Sequence, residues 1–169
     1  MKKLILIFVT TLICSVGFSQ INITDRLEVD TWNKFDNSIS KVTYWNDIYH
    51  SSLKGGTLTL MTKIGKITLL DTGETKWFLS IAANMEDLWV DEGAPLSITF
   101  EDSSIYTFTA FTGGSLLYDM VAYEIPKSKF YQLKTTPITS ITIRLRDYPI
   151  TIPLIGDKKY LFIKFLKLF

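Results

Sequence analysis

The most regular stretch of the chain runs from Leu96 to Phe111, LSITFEDSSIYTFTAF. Apolar Leu96, Ile98 and Phe100 alternate with polar Ser97, Thr99 and Glu101; after the turn-forming run Glu101-Asp102-Ser103-Ser104, apolar Tyr106, Phe108 and Ala110 alternate with Thr107 and Thr109. Successive side chains of a strand point to opposite faces, so a period of two builds one apolar and one polar face. Two such runs around a short polar connection predict an antiparallel hairpin whose apolar face must be covered. Most of the remaining chain predicts further strands able to cover it. Ile141, Ile143 and Leu145 alternate with Thr142, Arg144 and Arg146 within Ile138–Tyr148, and Thr57–Lys63 alternates as cleanly. Gly65 then predicts a hairpin turn or a bulge before Lys66–Asp71. Lys41–Tyr49 is rich in β-branched and aromatic residues, Leu116–Ile125 reads as another strand, and Lys76–Ala83 is apolar on both faces, the pattern of a central strand covered on both sides.

The segments between and beyond these strands are less periodic. Residues 20–39 form a polar stretch in which Asp25-x-x-Glu28 has the spacing of a helix-capping pair, while Leu27, Trp32 and Phe35 only roughly share a helical face. They predict an irregular or short-helical N-terminal arm. Pro126 at a helix-start position, Phe130 and Leu133 three apart, and the closing Pro137 predict one or two helical turns. Pro149 and Pro153 confine Ile150–Ile155 to an edge strand. In Asp157–Phe169, Gly156, Lys158 and Lys159 as a polar start favour a short amphipathic helix over a final strand. Eight or nine strands about ten residues apart, punctuated by glycine and proline, predict an all-β fold. The specific expectation is a single antiparallel β-sandwich domain over residues 20–169, with one or two short peripheral helices. A hydrophobic fraction of 47% is enough to fill its core.

Residues 1–19 stand apart from this pattern. Lys2 and Lys3 precede an apolar run from Leu4 to Val16, and Gly17 and Ser19 place small residues at the −3 and −1 positions of a cut after Ser19. The segment resembles a bacterial Sec signal peptide, and the apolar run is shorter than the roughly 20 residues of a membrane-spanning helix. Ile13 before Cys14 departs from a lipobox, which wants a small residue there. The resemblance implies export in a Gram-negative-type bacterium, to the periplasm, the cell surface or the medium, with no transmembrane helix left after cleavage. Cys14, the single cysteine, leaves with the leader. Disulfides, a thiol nucleophile and thiolate metal ligands go with it. Loss of Lys2 and Lys3 takes the basic residues from 18 to 16 against 17 acidic, a net charge of −1. With no dense basic stripe, phosphate-driven nucleic-acid binding is not expected.

Candidate chemistry is sparse. His50 is the only histidine and no G-x-S-x-G elbow is present, so a strand-end surface role fits it better than a Ser–His pairing. One histidine without cysteine does not furnish a zinc set. Glu86, Asp87, Asp91 and Glu92 surround Leu88-Trp89-Val90; such carboxylates serve glycoside hydrolysis or calcium binding when they converge, and solvate a loop when they do not. Of the four tryptophans, Trp45 and Trp77 lie in strand patterns and read as core. Trp32 and Trp89 lie in irregular segments and are the candidate sugar platforms, with Asp91 as a polar partner, although Trp89 suits a loop anchor plugging the end of the core still better. The expectation is a non-catalytic envelope or secreted binding module without cofactor or metal, recognising a protein or a glycan. The alternatives are a carbohydrate-binding module using Trp32 or Trp89, a small hydrolase drawing on His50 and the loop carboxylates, and a small outer-membrane β-barrel. The C-terminal Phe169 resembles the last residue of the barrel class.

Overall fold

In the computed structural model of the protein, residues 27–33, 37–53, 56–85, 87–117, 119 and 121–169 are described, with backbone only at 27–33, 52–53 and 56. The expected leader and residues 20–26 and 34–36 of the expected arm lie outside the described residues. In chain order the strands are β1 (Leu27–Asn33), β2 (Ser38–Thr43), β3 (Asn46–Leu53), β4 (Gly56–Leu69), β5 (Thr75–Ala83), β6 (Trp89–Val90), β7 (Pro95–Phe100), β8 (Ile105–Thr109), β9 (Gly114–Ser115), β10 (Val121–Ile125), β11 (Ile138–Arg144) and β12 (Pro149–Pro153). Helix α1 (Lys127–Thr135) follows β10, and a 3-10 turn at Gly156–Tyr160 leads into α2 (Leu161–Leu166).

The long strand β4 organises the larger sheet. β5 pairs along one side of it and β10 pairs beyond β5; on the other side β2 and β3 lie end to end, with β1 outside β2. All these pairings are antiparallel, as are those of the second sheet, β12-β11-β7-β8. Gly65 therefore neither turns nor bulges: β4 runs through it unbroken. The irregularity lies opposite, where Val42 faces Gly65 and Asn46 faces Thr62, so four steps on the β2–β3 side match three on β4. One extra residue opens the ladder, and side chains close it. The Ile64 amide donates to Thr43 Oγ1 at 3.0 Å, and Asn46 Nδ2 donates to the Tyr44 carbonyl at 2.9 Å. Both Thr43 and Asn46 are buried, where an unpaired amide would cost about 1–3 kcal/mol.

A second irregularity follows between Asp47 and Tyr49, with Ile48 as its centre. The Ile48 carbonyl accepts from Lys158 Nζ at 2.9 Å, tying the C-terminal 3-10 turn to β3. Burial lowers the Lys158 ammonium pKa, and the nearby Asp47 carboxylate works against that shift.

The inner face of the first sheet presents Leu58, Leu60, Ile64, Leu79, Ile81, Val121 and Ile125, and that of the second Leu96, Ile98, Phe100, Phe108, Ile141, Ile143 and Ile152; they share one core. At one corner the sheets join through an Ala110–Tyr123 bridge and a 2.7 Å hydrogen bond from the Phe111 amide to the Ala122 carbonyl. The result is an all-β, antiparallel, sandwich-like fold with two short helices. The β7–β8 hairpin, the β11 strand, the proline-bounded edge strand β12 and a helix after Pro126 form as the sequence predicts.

Three further expectations are corrected. Residues 27–33, expected in an irregular or short-helical arm, form a strand because their partners on β2 complete a ladder that local sequence does not reveal. Within Leu116–Ile125, Leu116 and Leu117 form a turn and Val121–Ile125 is strand, while Gly114–Ser115 pairs with β6. β5 is central, yet its second face is only half-covered, where Phe78 meets Phe111 at 6.0 Å between ring centroids. The tail forms the short helix that its polar start predicts, and Leu161, Phe162, Phe165 and Leu166, all buried, seat α2 on the core. Among the described residues, no helix is long and apolar enough to cross a membrane.

Tyr123 is fully buried, and its hydroxyl has no hydrogen-bond partner among the described residues. Desolvation pushes its pKa well above the ordinary phenolic value. Replacing an orphaned polar group by an apolar isostere removes a penalty without opening a cavity. Tyr123→Phe is therefore expected to leave stability unchanged or raise it by about 1 kcal/mol in urea denaturation. A loss of about 1 kcal/mol or more would mean that the hydroxyl is bonded in solution.

Candidate functional site

Among the described residues, His50 contacts Asp47 and Thr59 rather than the loop carboxylates singled out by sequence. Trp32 falls on β1 opposite Ile39, and its side chain lies outside the described residues. Glu86 also lies outside them. Asp87, Asp91 and Glu92 are exposed on the connection from β5 to β7. Among the described residues no three histidine, cysteine, aspartate or glutamate side chains gather as a metal set would require.

His50 lies within β3 rather than at its end, directly opposite Thr59 of β4. Its Nδ1 is 3.1 Å from Thr59 Oγ1, and Nε2 is 3.4 Å from Asp47 Oδ2. The order acid–imidazole–hydroxyl is that of a nucleophilic relay, but strand register alone produces it. The Asp47 distance also exceeds the usual hydrogen-bond range.

Trp89 and Asp91 do come together, with a partner that sequence reasoning missed. Leu88 and Val90 turn inward as the anchors of the loop, so the period of two sends Trp89 outward, 41% exposed. Arg146, from the turn between β11 and β12, lays its guanidinium 5.3 Å from the centre of the Trp89 ring. It also donates through Nε and Nη2 to Asp91 Oδ1 at 3.0 and 2.8 Å, and its amide donates to the Trp89 carbonyl at 2.7 Å. The Asp91 carboxylate raises the Arg146 pKa first by hydrogen bonding and then by its charge. Ring, cation and carboxylate thus satisfy one another, and the cluster staples the loop to the second sheet. The loop anchor expected at Trp89 is supplied by its two neighbours, and the expected platform is partly covered by arginine.

Gly113 permits this arrangement. β6 and β9 pack so closely that a Cβ at Gly113 would lie 2.5 Å from the Glu92 amide nitrogen and 3.0 Å from the Val90 carbonyl oxygen. Backbone does not yield as a flexible side chain would.

A cleft of about 740 Å³ opens elsewhere, between α1 and the tip of the β4–β5 hairpin. Its origin is the pairing register. Lys66 of β4 faces Trp77 of β5, and Trp77 faces Ile125, the last residue of β10. Pro126 ends β10 and starts α1, which is thereby laid across this end of the sheet, while buried Leu133 fixes the helix to the core. Trp77 forms the floor, packed against Phe130 at 4.4 Å and Phe169 at 5.0 Å between centroids, with Lys66 Nζ 5.3 Å from its own ring. Lys127, Tyr131 and Lys134 rim the helix side; Glu74 and Thr75 rim the hairpin side. Tyr131 is 77% exposed. Volume and lining fall within the range of ligand pockets.

The sequence marks Trp77 as core, Phe130 as a helix position and Phe169 as a terminal residue, and none of the cleft residues as a binding candidate. A signal was present for two of them: Lys127 and Lys134, seven apart in a predicted helix, must share a face. Their meeting with Lys66 depends on tertiary packing. Compared with protein-family models, with curated proteins and with solved structures, the chain matches none.

Gly113→Ala is expected to cost about 2 kcal/mol in denaturant unfolding, as overpacking against rigid backbone does. A cost below about 0.5 kcal/mol would mean that β6 and β9 are less closely apposed than described.

Proposed function

We propose that the protein is exported and acts without catalysis, as a binding module whose ligand occupies the cleft between α1 and the β4–β5 hairpin. The observation that carries this reading is the cleft itself. It is a concave site with an aromatic floor, held rigidly by Trp77, Phe130 and Phe169 and bordered by polar groups facing solvent. Rigid apolar floors with a few convergent polar groups are the common form of small-ligand sites. Export rests on the leader-like residues 1–19.

The alternatives have less behind them. A sugar platform at Trp89 has to displace the guanidinium of Arg146 and compete for Asp91. A hydrolase would need its base and carboxylates together, and His50 contacts Asp47 and Thr59 rather than the loop acids. An outer-membrane barrel carries its apolar residues outward around a polar lumen, whereas here the apolar faces of both sheets turn inward on one filled core.

The test is intrinsic tryptophan fluorescence of the chain from residue 20 onward, titrated with soluble neutral and acidic glycans. The expected result is a saturable change that survives Trp89→Phe. Since Cys14 is the only natural cysteine, Thr75→Cys on the exposed hairpin rim of the cleft offers a unique attachment point in the chain from residue 20 onward. A bulky maleimide placed there is expected to abolish the change, while the unlabelled variant keeps it. A change that persists with the cleft blocked, or no change with any glycan, would contradict the proposal.

A further inference from the structure

The charge on the cleft is one-sided. Lys66, Lys127 and Lys134 line it against a single acid, Glu74, whose carboxylate lies 3.6 Å from Lys76 Nζ. Among the described residues no ion pair engages Lys127 or Lys134. In a chain of nearly balanced charge, three lysines held toward one cavity are a local feature with a local consequence: they attract anions to this site and to no extended surface.

Spacing narrows the class. Lys127 and Lys134 are seven residues apart on one helix, two turns, which sets their backbones roughly 10.5 Å apart along the axis. With both side chains extended, a chain bearing anionic groups at intervals pairs with the two lysines at once. The cations are lysines, point charges suited to single carboxylates, and lack the planar fork by which arginine takes phosphate in two bonds. Between the two lysines stands Tyr131, an exposed ring on which the apolar face of a sugar can stack. Trp77 is unsuited to that task, because Phe130, Phe169 and Lys66 already surround its ring.

We infer that the ligand of this cleft is a segment of an acidic glycan, with its carboxylates on Lys127, Lys134 and Lys66 and a sugar ring on Tyr131. This inference rests on the binding reading above and adds the ligand's charge and class to it.

The experiment is titration calorimetry of the chain from residue 20 onward with a short oligouronate, with its carboxyl-reduced neutral counterpart, with inorganic phosphate and with a short single-stranded DNA. The oligouronate is expected to bind, more weakly as salt rises, and the neutral counterpart not to bind. Combining Lys127→Gln with Lys134→Gln is expected to weaken binding roughly tenfold, the effect of losing two partly exposed ion pairs. Tyr131→Ala is expected to weaken it further. Both variants change exposed side chains, and their thermal midpoints serve as the folding control. Equal binding of the neutral counterpart would overturn the anionic assignment and leave the cleft reading intact. Phosphate binding as tightly as the oligouronate would reduce the site to a simple anion site and overturn the glycan assignment. Tighter, lysine-dependent binding of DNA would overturn it in favour of nucleic acid. Absence of heat with every probe would overturn it outright, while the maleimide-blocking experiment decides separately whether the cleft binds anything.

Discussion

The structure depends on a mismatch of length. β4 is 14 residues long, whereas the strands of the opposing sheet have five to seven. At about 3.3 Å per residue, the first sheet extends well beyond the second. Where the sheets overlap, the inner side chains of β4 are apolar or satisfied, through Leu58, Leu60, Thr62 and Ile64, and they are buried. Beyond Ile64 the same face continues with Lys66, and its neighbour on β5 is Trp77. An apolar ring on an overhanging sheet has to be covered, and α1 together with the C-terminal Phe169 covers it. The cover is incomplete, and the cleft is the space left between helix and hairpin.

A strand of this length also needs partners along all of its edges. One straight neighbour suffices on the β5 side. On the other side two shorter strands share the work, and the Thr43 and Asn46 side chains bond across the extra residue between them. The next irregularity, at Ile48, is closed by Lys158 from the far end of the chain. The terminal 3-10 turn and α2 are thus tied at both ends of their short path: to β3 by an ammonium group and to the core by four buried side chains. The segment that supplies Phe169 to the cleft floor is fixed by the same contacts that close β3.

Strands with one apolar and one polar face were legible in the sequence, because burial on one side writes a period of two. Leu96–Phe100, Phe108 and Ile141–Ile143 are examples. Elements defined by partners elsewhere were not. β1 alternates only over Leu27–Asp30, too short a run to stand out before its ladder with β2 is known, and Gly65, which punctuates the sequence, does not interrupt its strand. The site was less legible than the fold. Trp89 stood out as a rare residue in a loop, yet the residue that decides its role, Arg146, lies 57 positions away in a turn. In the cleft, Lys66 and Trp77 adjoin through strand register, but Lys127, Phe130 and Lys134 reach them only because Pro126 starts a helix where β10 ends. Local sequence holds the two lysines of one helical face. It does not hold what that face is laid against.

The central claim is that binding takes place where the first sheet outruns the second. Amide-resolved NMR of the chain from residue 20 onward during titration with an oligouronate tests it most directly. The account predicts the largest shift changes at Gly73–Trp77 and Lys127–Thr135, with Trp89, Asp91 and Arg146 unmoved. Changes centred on Trp89 and Arg146 instead would contradict it and return the binding role to the loop that sequence first suggested.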